Sequence, residues 1–236
     1  MIAEFTEVGY QIITGFLSVD ECGRLTAAVN DYRSAHDVPV VHRPASERPL
    51  HYAVIDGEKV RDHFPDVTRI AEDVGNLVNS ISDEALLLLS DSKVAVNINI
   101  TSKGGSYRWH YDRNAVTAIL YLNEVEGGET ECYPNYRLKM PGDGNSMWQK
   151  IADRVIRSKP VRRIFGRRVM VSPKAGTLLV MRGNQCLHSV LPVTGNADRV
   201  NVIISFDLPG KTFAVADGLN QYLYTGESTS GDPNYS

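Results

Sequence analysis

Within the stretch Gly104 to Asp112, which reads Gly-Gly-Ser-Tyr-Arg-Trp-His-Tyr-Asp, a histidine and a carboxylate stand two residues apart. The stretch reads as a strand, where side chains two apart face the same way, so His110 and Asp112 can grip one metal ion. A third ligand comes much later, His188 in Gln185-Cys186-Leu187-His188-Ser189. Two histidines and one carboxylate are the facial set that suits ferrous iron with open coordination positions, which points to oxygen-activating iron chemistry. Arg199 then opens Arg199-Val200-Asn201-Val202-Ile203-Ile204-Ser205-Phe206, an alternating strand with one buried face. A guanidinium there can hold a carboxylate through two parallel hydrogen bonds, as a dicarboxylate co-substrate chelating the metal at its other end requires.

These residues resemble the prolyl-4-hydroxylase-like branch of the iron(II) and 2-oxoglutarate dependent dioxygenases. The resemblance covers roughly residues 94 to 208 and rests on four blocks in the family's order. They are Gly104-Gly105-Ser106-Tyr107 leading into His110-Tyr111-Asp112; Leu120-Tyr121-Leu122-Asn123 with Gly127-Gly128-Glu129-Thr130; Pro173 to Val180; and His188 to Arg199. The resemblance implies that His110, Asp112 and His188 bind Fe(II), that Arg199 pairs with the distal carboxylate of 2-oxoglutarate, and that Tyr107 lies near the co-substrate. Asn97 and Tyr121 are weaker candidates for the same pocket, as are Asn99 and Arg182. The resemblance further implies dioxygen as the oxidant, release of succinate and carbon dioxide, and ascorbate as a candidate accessory reductant. Two departures matter: Thr101 stands where many relatives have tyrosine, and the prolyl hydroxylases usually use lysine at the Arg199 position, so prolyl hydroxylation is not implied. Halogenases similar to this family have a small residue in place of the carboxylate, so Asp112 favours hydroxylation, while desaturation, ring formation and epoxidation use the same ligands.

The elements that must position these residues fall into two halves. Tyr10 to Phe16 reads as a strand, and Ser18-Val19-Asp20-Glu21 is a capping box opening a helix to about Tyr32. A second helix spans Asp66 to about Ser80, where Val67, Ile70, Val74, Leu77, Val78 and Ile81 recur at helical spacing, and His36 to Tyr52, with three prolines, reads as a loop. From Val94 onward the pattern changes to strands: Val94 to Ile100, Ala115 to Leu122, Glu129 to Tyr133, Arg168 to Val171, Thr177 to Arg182 and Val200 to Leu208. Helices first and short strands afterwards predict a mainly β, α+β fold: a double-stranded β-helix, the jelly-roll or cupin-like barrel, buttressed by N-terminal helices. One oxygenase domain is expected over 1–224, with helical support to about 90 and the barrel over 94–208, followed by a flexible tail at 225–236.

Between the ligands lies Pro134 to Arg167, too long for a turn and the first place to expect a substrate lid. It holds the basic cluster Arg154, Arg157, Lys159, Arg162, Arg163, Arg167 and Arg168, read as a solvated face before an anion-binding one. With 236 residues, 42% hydrophobic content and a net charge of −3, the chain can bury a sizeable core and shows no basic, aromatic-interleaved stripe, which disfavours nucleic acid as a partner. No apolar run approaches a membrane span, no basic-then-apolar leader opens the chain, and Cys22, Cys132 and Cys186 form no disulfide pattern, so a cytoplasmic protein is expected. Cys186 reads as a small buried residue, Trp109 as packing aimed away from the metal, and His36, His42, His51 and His63 as structural, with His51 a possible substrate contact. The substrate expected is a small molecule, an amino acid or natural-product intermediate. The alternatives are a peptidyl or protein hydroxylase and a non-oxygenase metal-binding β-barrel; a closed structural zinc site would want four protein ligands, and only three align.

Overall fold

The computed structural model describes residues 2–43, 49–138 and 147–211. The N-terminal half supplies α1 (Ile2–Val8), β1 (Tyr10–Ile13), α2 (Val19–Ala35), β2 (Val40–Arg43), β3 (Leu50–Ile55), α3 (Gly57–His63), α4 (Pro65–Ile81), β4 (Leu87–Leu88) and α5 (Ser92–Ala95). The rest supplies β5 (Val96–Thr101), β6 (Tyr107–His110), β7 (Val116–Tyr121), β8 (Thr130–Tyr133), α6 (Met147–Ile156), α7 (Lys159–Phe165), β9 (Val169–Val171), β10 (Leu178–Met181), β11 (Leu187–Val190) and β12 (Arg199–Asp207). The expected capping box forms: Ser18 Oγ accepts from Glu21 N–H at 3.2 Å and Ser18 N–H donates to Glu21 Oε2 at 3.0 Å.

All pairings between the named strands are antiparallel, in two sheets. The larger has the order β1-β10-β7-β12-β5-β3-β2 with β4 on β12, and the smaller runs β6-β11-β8-β9. The central strands of the larger sheet are buried on both faces, and their alternation assigns each face a different partner. Ile98, Ile100, Ala118, Leu120, Leu178, Val180, Val202 and Ile204 meet Val67, Ile70, Val74 and Val78 of α4 in the main core. On the opposite face Ile119, Tyr121, Leu179 and Met181 meet Cys132 and Val171 of the smaller sheet. That second face becomes polar along β5 and β12, where Asn97, Asn99, Thr101, Arg199 and Asn201 are all buried.

Three expectations need correction. The segment 36–52 is not only a loop: β2 and β3 form a hairpin that extends the larger sheet. Pro39 and Pro49 stand just outside its strands, so they punctuate the hairpin rather than break it. The strand expected over Gly104 to Asp112 is confined to Tyr107–His110, and Asp112 stands in the turn that follows. Between Tyr107↔Val190 and His110↔His188 the register shifts, two residues of β6 facing one of β11, and this bulge keeps Tyr107 and His110 on one side. Finally, the basic cluster expected as a solvated face is not wholly one, since Arg162 is buried beneath the helices α6 and α7. They cover the outer face of the smaller sheet, where the Arg162 guanidinium sits 4.0 Å over the Trp109 ring and Tyr136 Oη donates to the Ile156 carbonyl at 3.3 Å. Trp109 packs there with Tyr133 and Leu187, away from the metal ligands. Residues 139–146 of this segment and the tail expected at 225–236 lie outside the described residues.

Candidate active site

His110 closes β6 and His188 faces it from β11 as its cross-strand partner, the two rings 4.1 Å apart between centroids. Asp112 turns back toward both: its Oδ1 lies 3.3 Å from His110 Nε2 and 3.5 Å from His188 Nε2. One ligand atom from each of the three falls within 4.8 Å of the others. Each imidazole is oriented by its other nitrogen, His110 Nδ1 at 2.9 Å from the Arg108 carbonyl and His188 Nδ1 at 3.0 Å from the Cys186 carbonyl. A carbonyl can only accept, so both Nδ1 atoms carry the proton and both Nε2 lone pairs turn to the space beside Asp112.

The carboxylate is held just as firmly. Thr117 Oγ1 donates to Asp112 Oδ2 at 2.6 Å while accepting from Asn114 Nδ2 at 2.9 Å, and Asp112 N–H donates to the Gly183 carbonyl at 3.0 Å. Gly183 has to be glycine: a Cβ there would stand 2.7 Å from Thr117 Oγ1 and 2.9 Å from Asp112 Oδ2. Burial opposes ionisation of Asp112, but the facing His188 and His110 and the Thr117 hydroxyl outweigh it and hold the carboxyl below the usual carboxylate range. Burial and the neighbouring His110 push His188 down to about 4, so near neutral pH the pair of groups is an ionised carboxylate and a neutral imidazole. That is the protonation state a divalent metal needs from its ligands.

Arg199, at the start of β12, points into the same inter-sheet space and is almost wholly buried. Its Nη2 donates to Thr130 Oγ1 at 3.1 Å and its Nη1 to Asn201 Oδ1, while its carbon lies 5.1 Å from the Tyr121 ring centroid. Among the described residues no carboxylate pairs with it, and its buried Nε has no hydrogen-bond partner. Burial accordingly pulls the guanidinium below its ordinary value, with Tyr121 opposing. A buried, unneutralised cation in a polar chamber is a strong demand for an anion. Gly128 makes room for it, since a Cβ there would come within 2.9 Å of Arg199 Cδ.

The other expected residues divide. Tyr107 lies beside the metal ligands, its ring 4.6 Å from His110 and 5.2 Å from Tyr52, and burial pushes its phenol well above the ordinary value. Tyr121 is fully buried and donates to Thr130 Oγ1 at 2.6 Å, within reach of Arg199. Asn97 and Asn99 line the same face of β5, and Asn99 Oδ1 is a second buried atom with no partner. Arg182 is elsewhere, its Nη1 donating to the Thr6 carbonyl at 3.2 Å. His51 meets His42 edge-on across the hairpin, and His36 stacks on Tyr32, both apart from the ligand set. Thr117, Asn114, Thr130, Asn201 and Gly183 escape the sequence reading. For Thr117 and Asn201 a signal did exist, because strand alternation puts them on the faces of Tyr121 and Arg199.

A sequence profile of the 2OG-Fe(II) oxygenase superfamily matches residues 96–206, the span that carries every residue of this site. No curated protein matches the sequence. Among solved structures, a Pseudomonas putida prolyl-4-hydroxylase is similar at 19% identity, with a TM-score of 0.55 over 89% of this chain and 97% of that one. The non-heme alpha ketoglutarate dependent epimerase SnoN from nogalamycin biosynthesis is similar at 16% identity and TM-score 0.68, over 98% and 88% of the two chains. HygX from Streptomyces hygroscopicus, solved with nickel, 2-oxoglutarate and hygromycin B bound, is similar at 14% identity and TM-score 0.62, over 89% and 87%. At these identities the structures speak for the fold, and the profile speaks for the family. Residues 96–206 belong to the 2OG-Fe(II) oxygenase superfamily, and they make the chain a 2-oxoglutarate-dependent oxygenase.

Proposed function

We propose that this enzyme hydroxylates an unactivated C–H bond of a small molecule, an amino acid or a natural-product intermediate. The observation that carries the reading is the pairing of an open three-ligand metal set with a buried guanidinium that lacks a counter-ion. His110 Nε2, His188 Nε2 and Asp112 Oδ1 hold the iron, and Arg199, backed by Thr130 and Tyr121, takes the distal carboxylate of 2-oxoglutarate. Iron with 2-oxoglutarate and dioxygen supplies the oxidising power, one oxygen atom leaving in succinate beside carbon dioxide and the other becoming the hydroxyl. The protein's own work is to orient and to exclude. Thr117 and the two backbone carbonyls fix the ligand atoms, and the apolar floor of Ile119, Leu179 and Met181 keeps water from the chamber. The two sheets then form the walls of a double-stranded β-helix within one oxygenase domain.

A small substrate is favoured because one of the similar structures is an epimerase from nogalamycin biosynthesis and another was solved with hygromycin B bound. A peptide is the second reading, supported by the likeness to a prolyl-4-hydroxylase, although arginine rather than lysine stands at position 199. A purely structural metal would leave the buried Arg199 cation without a purpose.

Anaerobic titration of the metal-stripped protein with ferrous iron and 2-oxoglutarate tests the assignment. A visible charge-transfer band should appear in the native protein and vanish in His188→Ala. Iron binding without the band would mean that the chamber does not chelate the keto acid, and the reading would fall.

A further inference from the structure

The helices α6 and α7 are built inside out. A surface helix ordinarily turns its apolar stripe to the core, yet in α6 two of the three buried residues, Ile156 being the apolar third, are polar: Gln149 and Asp153, about 4% and 5% exposed. Both are bound beneath the helix: Asp153 pairs with Arg137 at 2.7 Å and accepts from Gln149 Nε2 at 2.9 Å. Its larger apolar side chains, Ile156 apart, face solvent instead, with Trp148, Ile151 and Val155 at i, i+3 and i+7 all exposed and Met147 beside them. In α7 the buried residue is Arg162, lying on Trp109, while Ile164 and Phe165 are 71% and 75% exposed. The six exposed side chains together leave on the order of 700 Å² of mostly apolar surface, close to one partner's share of a standard interface.

The charge around them decides what covers this surface. Arg154, Lys159, Arg163 and Arg167 are exposed, whereas the only acid between residues 147 and 171 is the buried, paired Asp153. A second copy meeting the same face would set cation against cation with no acid to separate them, in a chain whose net charge is −3. The composition is also that of a protein interface, rich in Trp, Met and Phe, and among the described side chains its exposed cations Arg154, Arg163 and Arg167 outnumber Lys159, where an anionic lipid surface would draw lysine and arginine alike. We propose that α6 and α7 form a docking surface for an acidic amphipathic helix of another protein, whose apolar ridge covers Trp148, Ile151 and Val155 while its carboxylates meet Arg154 and Arg163.

Fluorescence anisotropy with the full chain tests this, using a labelled helical peptide with leucines at i, i+4 and i+7 and glutamates on the flanks. Binding should be at least tenfold tighter than to a shuffled peptide of the same composition or to one with lysine for every glutamate, and should weaken with salt. Ile151→Ser/Val155→Ser and Arg154→Glu/Arg163→Glu should each lose tenfold or more while keeping hydroxylation and circular dichroism unchanged. Equal binding of the shuffled peptide, or binding untouched by either variant, would overturn the proposal. So would a blue shift of tryptophan emission on phosphatidylserine vesicles that is lost in Trp148→Ser, which would assign the face to membranes. Concentration-dependent dimers dissolved by Ile151→Ser in sedimentation would assign it to a second copy.

Discussion

The two faces of the larger sheet are made by the same strands and follow opposite rules. On the helix side Ile98, Leu120, Val180 and Val202 are sealed against α4, each side chain apolar. On the inner side of three of those strands, at the alternate positions, stand Asn99, Tyr121, Asn201 and Arg199, also buried and polar, and two of their atoms lack any hydrogen-bond partner. Burial alone therefore does not separate core from site; satisfaction does. A fold has no reason to bury an unpaired guanidinium, because the desolvation is uncompensated until an anion arrives. Stability is concentrated on one face and stored demand for ligand on the other.

Substitutions on the two faces should accordingly part company. Leu120→Ala opens a cavity in a fully sealed site and should cost about 2–5 kcal/mol of unfolding free energy in urea titrations, while the folded fraction binds 2-oxoglutarate as before. Arg199→Ala on the opposite face should do the reverse. Affinity for 2-oxoglutarate, read from the charge-transfer band, should fall by about 2–3 kcal/mol, the scale of a lost charge-assisted pair. Unfolding stability without ligand should hold or rise, because an uncompensated buried cation is gone. A loss of stability in Arg199→Ala as large as that in Leu120→Ala would erase the distinction between the faces.

Much of the inner face was legible because its chemistry converges over long sequence separation: two histidines, a carboxylate and an arginine have few joint explanations. The strand residues between them were less so. Thr117 looks like an ordinary β-former until the turn brings Asp112 Oδ2 to within 2.6 Å of its hydroxyl. Gly183 carries no signal beyond a turn, since its need is a close approach made by residues far away in sequence. The β2–β3 hairpin was hidden because Pro39, Pro44 and Pro49 read as loop markers, although Pro39 serves the hairpin by accepting from Val54 N–H at 3.1 Å. The placement of α6 and α7 was hidden for a deeper reason: the segment reads as a long excursion with a basic cluster, and α6 is seated largely by the polar Gln149 and Asp153, beside Ile156.

Acid should draw the same line between the faces, since the sheet residues that face α4 are apolar. His188 is neutral in the folded protein down to about pH 4 and has an ordinary value near 6.5 when unfolded. Between those values the unfolded chain binds the extra proton, so its stability advantage over the folded state falls as pH rises, and the folded state loses stability as pH drops from about 6.5 to 4. The metal-free protein should lose roughly 2–3 kcal/mol across that window, measured as urea midpoints at fixed ionic strength. His188→Gln should flatten the slope there, whereas Leu120→Ala should shift the whole curve down without changing its shape. A slope unchanged in His188→Gln would place the titration elsewhere.

The finest cut lies within the inner face itself, between residues that touch the metal and those that only aim the ones that do. Thr117 makes no approach to the ligand atoms of the histidines, and its hydroxyl fixes Asp112 Oδ2 so that Oδ1 faces the two Nε2 atoms. Thr117→Val keeps the shape and removes the donor, leaving Asp112 free to rotate and Asn114 Nδ2 with only the Val116 carbonyl. Iron affinity should fall by about 10- to 100-fold, roughly 1.4–2.7 kcal/mol, the usual range for losing the group that orients a metal ligand. Thr117→Ser, which restores the hydroxyl, should recover most of it. Binding of 2-oxoglutarate to the iron-saturated variant should stay close to native, because the anchor proposed for its far end, Arg199 with Thr130, stands on other strands. If Thr117→Val and Thr117→Ser lost iron equally, the residue would be acting through packing, and the polarity of the inner face would matter less at this position than its shape.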